Sequence, residues 1–236
     1  MGKQGGNQSA KQRFISFVEQ KILSGEFAVE QKLPPERELA EQTGISRIIV
    51  HAALVELATK NVLRIVPRQG TYVNDFKKEG TLELYGALLK YTGDVEPDLF
   101  RSLIEFREII ETAAAQKAAL HRTQQDIESL RALLGQERKA KDAQEAAGLD
   151  YRLHLQITKA AGNIIFPMTL RSIEEMYMSL VKTFYEIQKD RTVVHLFHER
   201  LLDAIENGDC AQAGAVMKTM LDQGREVLEK HYQSSK

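Results

Sequence analysis

Leu33-Pro34-Pro35-Glu36-Arg37-Glu38-Leu39-Ala40, then Gly44-Ile45-Ser46-Arg47-Ile48-Ile49-Val50-His51, then Val62-Leu63-Arg64-Ile65-Val66 and Gly70-Thr71-Tyr72-Val73: the order of these segments decides the fold. The proline pair suits the first turn of a helix, where the missing N–H is no loss. That helix runs through Leu39 and Ala40 to Gly44, a helix stop. Ser46 caps the next helix, which carries Ile49, Ala53, Leu54 and Leu57 on one face. The β-branched run 62–66, the turn residues Pro67-Arg68-Gln69-Gly70 and the short run 71–73 make a hairpin. Upstream, Phe14, Phe17, Val18 and Ile22 keep the spacing of an amphipathic helix that Gly25 ends. Helix, helix, tight turn, helix and two-stranded hairpin is a winged helix-turn-helix.

The remainder reads as helix, so the fold class is mainly α: an N-terminal winged helix-turn-helix and a C-terminal all-α helical bundle. Residues 1–9 are Gly- and Gln-rich and read as a disordered tail. The winged helix spans 10–74, a polar linker 75–80, and the helical domain 81–232. Its expected helices are about 81–91, 98–121, 124–146, 149–161, 164–187, 191–207 and 209–232, with breaks at Thr92-Gly93, Gly148, Gly162-Asn163, Asp190 and Asn207-Gly208-Asp209. The charged, Ala-rich stretch 136–147 reads as a solvated helix end.

Composition narrows the class. The chain has 236 residues, 43% hydrophobic and 28% charged, the profile of a globular protein rather than a disordered one. Its single cysteine can form no internal disulfide. No apolar run approaches the ~20 residues that span a bilayer, so no membrane partner and a cytoplasmic location are expected. The near-neutral total hides an asymmetry. Residues 1–78 hold twelve basic against eight acidic residues, and residues 79–236 hold 20 against 25. A basic segment joined to an acidic one suits a nucleic-acid module attached to something else.

The second helix of a helix-turn-helix enters the major groove with its N-terminal residues toward the bases. Arg47 can donate two parallel hydrogen bonds to a guanine edge, and Ile48 can meet a thymine methyl. Ser46 and the helix N–H groups suit a phosphate. Arg37 is placed to reach the backbone, and Arg68 and Gly70 form the wing. His51 is either a further contact or a neutral partner of Glu38 or Glu41.

Lys32-Leu33-Pro34-Pro35-Glu36-Arg37-Glu38-Leu39-Ala40, Gly44-Ile45-Ser46-Arg47 and the wing ending Gly70-Thr71-Tyr72-Val73 resemble the GntR family signature over residues 10–74. In that family a Thr-Thr pair stands where this chain has Ile48-Ile49, and an Arg stands at His51. These departures alter operator preference while leaving phosphate contacts.

In the helical part, Asp150 and His154 are i, i+4 and share a helix face, and His198 lies on a later helix. Asp/His/His can hold a divalent cation, although such a pair is more often a surface interaction. Glu105-Phe106-Arg107-Glu108-Ile109-Ile110-Glu111, Asp150-Tyr151-Arg152-Leu153-His154, Ala160-Ala161-Gly162-Asn163 and the run His198 to Asp209 resemble the FCD effector domain of the FadR branch. The resemblance implies a metal such as Zn, Ni or Mn on Asp150, His154 and His198. The family's fourth ligand, a histidine, falls on Met220, a soft donor ill-suited to these ions. Three protein ligands plus water, and loss of the site, both stay open. The fatty-acyl-CoA-responsive regulators of the branch lack the metal and carry an extra helix after the wing, where 81–91 falls. The resemblance thus implies as effector a metal-held carboxylate, or a fatty-acyl chain or acyl-CoA in a cavity. Arg107 suits its carboxylate or phosphate, with an intrahelical pair to Glu111 as the alternative. Tyr177, Tyr185, Met168, Met176 and Met178 line a cavity or fill the core. His195 reads as an exposed neighbour of His198.

The reading is a DNA-binding transcription regulator, not an enzyme, that binds a palindromic double-stranded operator as a homodimer under small-molecule control. A metal-dependent hydrolase on Asp150/His154/His198 and a helical interaction module are the alternatives.

Overall fold

Ser9 accepts a hydrogen bond from the Gln12 N–H and so caps the first helix, α1 (Ala10–Leu23), whose apolar face buries Phe14, Ile15, Val18 and Ile22. In the computed structural model, residues 9–82, 86 and 97–234 are described. The tail expected at 1–9 lies outside them except for Ser9, and so does most of the helix expected at 81–91. The chain divides into two compact units, residues 1–92 and 93–236.

In the first unit, α2 (Glu36–Thr43) starts directly after Pro35 and ends at Gly44, whose φ of 66° allows the sharp turn into α3 (Arg47–Thr59). Ser46 occupies the N-cap position of α3, but its side chain makes no cap hydrogen bond. Val50, Ala53, Leu54 and Leu57 of α3 pack on α1 and α2 in one apolar core with Leu33, Leu39, Leu63 and Val73. Strands β1 (Leu63–Val66) and β2 (Gly70–Val73) pair antiparallel with Val66 opposite Gly70. The segment before α2 adds an edge, because the Leu33 N–H donates to the Thr71 carbonyl and the Val73 N–H to the Gln31 carbonyl. At the tip Arg68 has φ 63° and Gly70 φ 129°. The φ of Gly70 is one that side-chain-bearing residues rarely adopt, so the turn at this position needs glycine for its conformation. The stretch expected as a linker carries one helical turn, α4 (Phe76–Glu79).

The second unit is all helix: α5 (Pro97–His121), α6 (Gln124–Glu137), α7 (Ala143–Ala160), α8 (Ile165–Ser172), α9 (Glu174–Ile187), α10 (Thr192–Asn207) and α11 (Cys210–Ser234). Helices α5 and α11 lie along one another, and α7 packs against α5, α6, α8 and α9. Three expectations are corrected. The helix expected over 124–146 ends at Glu137, and Asp142 caps a new one through the Glu145 N–H. Gly148 does not break α7, which runs through it. The helix expected over 164–187 divides at Ile173.

Leu54 is 1% exposed at the centre of the first core. Leu54→Ala should cost about 2–5 kcal/mol, read as a lower denaturant midpoint for this unit.

Candidate functional site

On the first unit the N-terminal end of α3 faces water. Ile48 is 83% exposed, an unusual place for a large aliphatic side chain, whereas Ile49 packs against the core. Among the described residues, Arg47 and Arg68 have no carboxylate partner, unlike the other arginines near them. Arg37 Nε donates to Glu41 (3.1 Å), and Arg64 pairs with Glu30 while stacking on Tyr72. His51 Nδ1 meets Glu36 Oε1 at 2.7 Å, so its partner is the first residue of α2 rather than Glu38 or Glu41. The hydroxyl of Ser46 is left free by the absence of a cap bond.

In the helical unit the bundle draws a charged cluster inward. Arg107 and Glu111 come from α5, Glu137 from the end of α6, and Asp150 and His154 from α7. Tyr177 and Tyr185 come from α9, and His198 from α10. All are buried. Asp150, His154 and His198 each offer a ligand atom within 4.8 Å of the others. Tyr177 donates to Asp150 Oδ1 (2.7 Å) and Tyr185 to Oδ2 (3.0 Å). Arg107 donates to Glu111 (2.6 Å) and to the Tyr177 hydroxyl (2.9 Å), with its guanidinium 3.9 Å from the Tyr177 ring centre. The Arg107–Glu111 pair and a place at the cavity are therefore not alternatives, because Arg107 has both.

Each histidine is oriented by a carboxylate behind it. His154 Nδ1 meets Glu111 Oε2, and His198 Nδ1 meets Glu137 Oε1 at 2.7 Å. Both Nε2 atoms then turn toward Asp150. His154 Nε2 lies 4.0 Å from Oδ1 and His198 Nε2 3.8 Å from Oδ2, too far for hydrogen bonds. His198 Nε2 is buried without a partner. Electrostatics follow the same lines. Burial opposes the Glu111 charge, but Arg107 and His154 outweigh it and bring that carboxyl down to about 2. Burial likewise opposes ionisation of Glu137, and bonds from His198 and His195 lower it. Burial pushes the Tyr177 and Tyr185 hydroxyls well up, so they stay donors to Asp150. Burial opposes protonation of His198, but Glu137 and Asp150 outweigh it and raise that imidazole. Two imidazoles backed by carboxylates and converging with an aspartate have the donor set of a divalent-cation site.

Beside this cluster lies a cavity of about 160 Å³. Arg107, Asp150, His154 and Met220 line it, with Val181, Phe184, Val194, Phe197 and Leu228 forming an apolar side. The expected cavity group divides. Tyr177 and Tyr185 are buried on Asp150, Met176 is core, and Met168 is 57% exposed. His195 is half-buried, not exposed, with Nδ1 3.0 Å from Glu137. Sequence reading missed Glu137 altogether and saw Glu111 only as a partner of Arg107.

Residues 12–73 match the family described as bacterial regulatory proteins, gntR family, and residues 102–223 match the FCD domain. The chain is 27% identical to the HTH-type transcriptional regulator LutR of Bacillus subtilis, over 91% of this chain and 99% of that protein. It is 31% identical to the putative L-lactate dehydrogenase operon regulatory protein of Escherichia coli, over 80% and 75%. The solved structure of Lar, which controls the agr system of Listeria monocytogenes, superposes with a TM-score of 0.70 at 19% identity, covering 96% of this chain and 99% of that one. That likeness speaks for the fold.

Glu111→Ala leaves the buried Arg107 and His154 without their carboxylate and should cost about 3–5 kcal/mol. Replacing Arg107 and Glu111 together by apolar residues of similar volume should recover most of it, measured as denaturation midpoints of the three variants.

Proposed function

The chain belongs to the gntR family of bacterial regulatory proteins and carries an FCD domain, and on that footing we propose which residues read DNA and which answer to the effector. It is a DNA-binding transcriptional regulator, and a small molecule in its helical domain controls operator binding. Arg47 donates to a guanine edge, Ile48 packs on a thymine methyl, and Ser46 with the α3 N-terminus takes a phosphate. Arg68 on the Gly70 turn and Arg37, after release from Glu41, add backbone contacts. His51 faces the groove with one ring nitrogen already held by Glu36. Two copies of the chain bind a palindromic operator as a homodimer, so that protein and DNA share a two-fold axis.

Asp150, His154 and His198 would hold a divalent ion, Zn, Ni or Mn, which would supply an electrophilic centre for an effector oxygen. Tyr177 and Tyr185 orient Asp150, Glu111 and Glu137 orient the histidines, and Arg107 faces the effector carboxylate. The observation that carries this reading is the pair of carboxylate-backed histidines whose Nε2 atoms converge on Asp150 without bonding to it. A cavity of about 160 Å³ with Arg107 on its wall suits a small acid. Among the described residues Asp150 is the one carboxylate lining the cavity, and both its oxygens accept from tyrosines. This favours regulation over hydrolysis. Effector binding shifts the population between two arrangements of the helical domain, by no more than its differential affinity for them.

The test uses a duplex selected by the protein from a random library, with affinity read by fluorescence anisotropy. Arg47→Ala should lose about 1–3 kcal/mol and relax preference at one base pair, whereas Arg68→Ala should weaken all sequences alike and lower the salt slope by about one. Unchanged binding in both variants would defeat the DNA assignment.

A further inference from the structure

Between Arg47 and Val55 the exposed residues of α3 are Arg47, Ile48, His51, Ala52 and Val55. Three of them are aliphatic. The other two, Arg47 and His51, stand one helical turn apart on the same face. Hydrogen-bond readout by this face therefore rests on two side chains. Arg47 can only donate. The role of His51 depends on which ring nitrogen carries the hydrogen.

Glu36, the first residue of α2, decides that. Its Oε1 lies 2.7 Å from His51 Nδ1, and the His51 side chain is still 61% exposed. A carboxylate only accepts hydrogen bonds, so Nδ1 must be the nitrogen that donates. In a neutral ring Nε2 is then a bare acceptor. Among the described residues Nε2 has no hydrogen-bond partner of its own. In the major groove a bare acceptor is matched by the N4 amino group of cytosine or the N6 amino group of adenine. Guanine presents O6 and N7 there and thymine O4, all acceptors, which repel it.

We propose that Glu36 sets the base that His51 reads. By holding the Nδ1–H it presents Nε2 as an acceptor, and His51 selects the amino group of a cytosine or adenine. A helical turn advances about 5.4 Å and a base pair about 3.4 Å, so this base lies about one to two base pairs from the guanine read by Arg47. Arg47 and His51 then form a donor and acceptor pair that reads two different letters. Glu36 is a positioning residue and touches no base. The inference rests on the assignment of α3 to the major groove.

The test is selection of duplexes from a random library at about pH 8.5, above the ordinary imidazole range. The native full chain is compared with Arg47→Ala, His51→Ala, His51→Arg and Glu36→Ala, and single base-pair changes are then measured by fluorescence anisotropy. The native chain should select cytosine or adenine at one position that His51→Ala flattens. Discrimination there should fall by about two- to tenfold, the worth of one neutral hydrogen bond. Glu36→Ala should flatten the same position and keep the guanine read by Arg47, which also shows that the variant is folded. His51→Arg should turn the position to guanine. Guanine or thymine at the His51-dependent position of the native chain would overturn the proposal. So would a Glu36→Ala variant that matches the native chain there. Arg47→Ala separates the two levels. If it relaxes one base pair while His51→Ala relaxes none, only this inference falls. If neither variant relaxes any position, the assignment of α3 to the groove falls and this inference with it.

Discussion

A carboxylate buried among helices must have its charge balanced, and in this protein that demand organises the second unit. Asp150, Glu111 and Glu137 are each 8% exposed or less. Moving isolated charges of this kind out of water costs several kcal/mol each. The bundle answers by converging five helices on them, with hydroxyls, a guanidinium and imidazoles brought in from α5, α7, α9 and α10. The two histidines turn Nε2 atoms that make no hydrogen bond to Asp150 toward its two oxygens. Packing and ligand chemistry are here the same problem, since the network that makes the core tolerable also sets Asp150 and His154 at a cavity wall.

The first unit solves the opposite problem. Its core is apolar, and among the described residues its charges lie outside, apart from Glu19. Most exposed cations are paired with a nearby carboxylate, as Arg37, Arg64 and His51 are. Arg47 and Arg68 are not, and Ile48 stands out in water beside Arg47. A surface built for solubility alone would pair the arginines and bury the isoleucine. A surface that meets phosphates and base edges leaves both available. The positive φ of Gly70 shapes the tip of the wing, which ties the loop conformation to glycine.

Legibility in the sequence tracked how local each determinant was. The winged helix could be read from apolar spacing and from Gly and Pro punctuation, all within a few residues. Asp150 and His154 could be found because their relation is one helical turn. Glu137 could not, because its role depends on His198, 61 positions away, and Glu111 meets His154 from 43 positions away. The charged stretch 136–147 has good helix propensity, and so its break was hidden. The break is made by Asp142 capping a new helix, a tertiary choice that brings Glu137 inward. Gly148 misled in the other direction. A glycine inside a helix costs about 1 kcal/mol, and packing of α7 against four neighbours absorbs it.

The central claim is that the ligand state of the Asp150/His154/His198 cavity sets the affinity of α3 for DNA. The most direct measurement is the operator affinity of the full chain before and after chelation, and again after divalent ion and acid are restored together. The account predicts that restoring both shifts the affinity by about 5- to 150-fold in one direction, and that His154→Ala is blind to the same additions. An operator affinity indifferent to ion and acid in the native chain would contradict it.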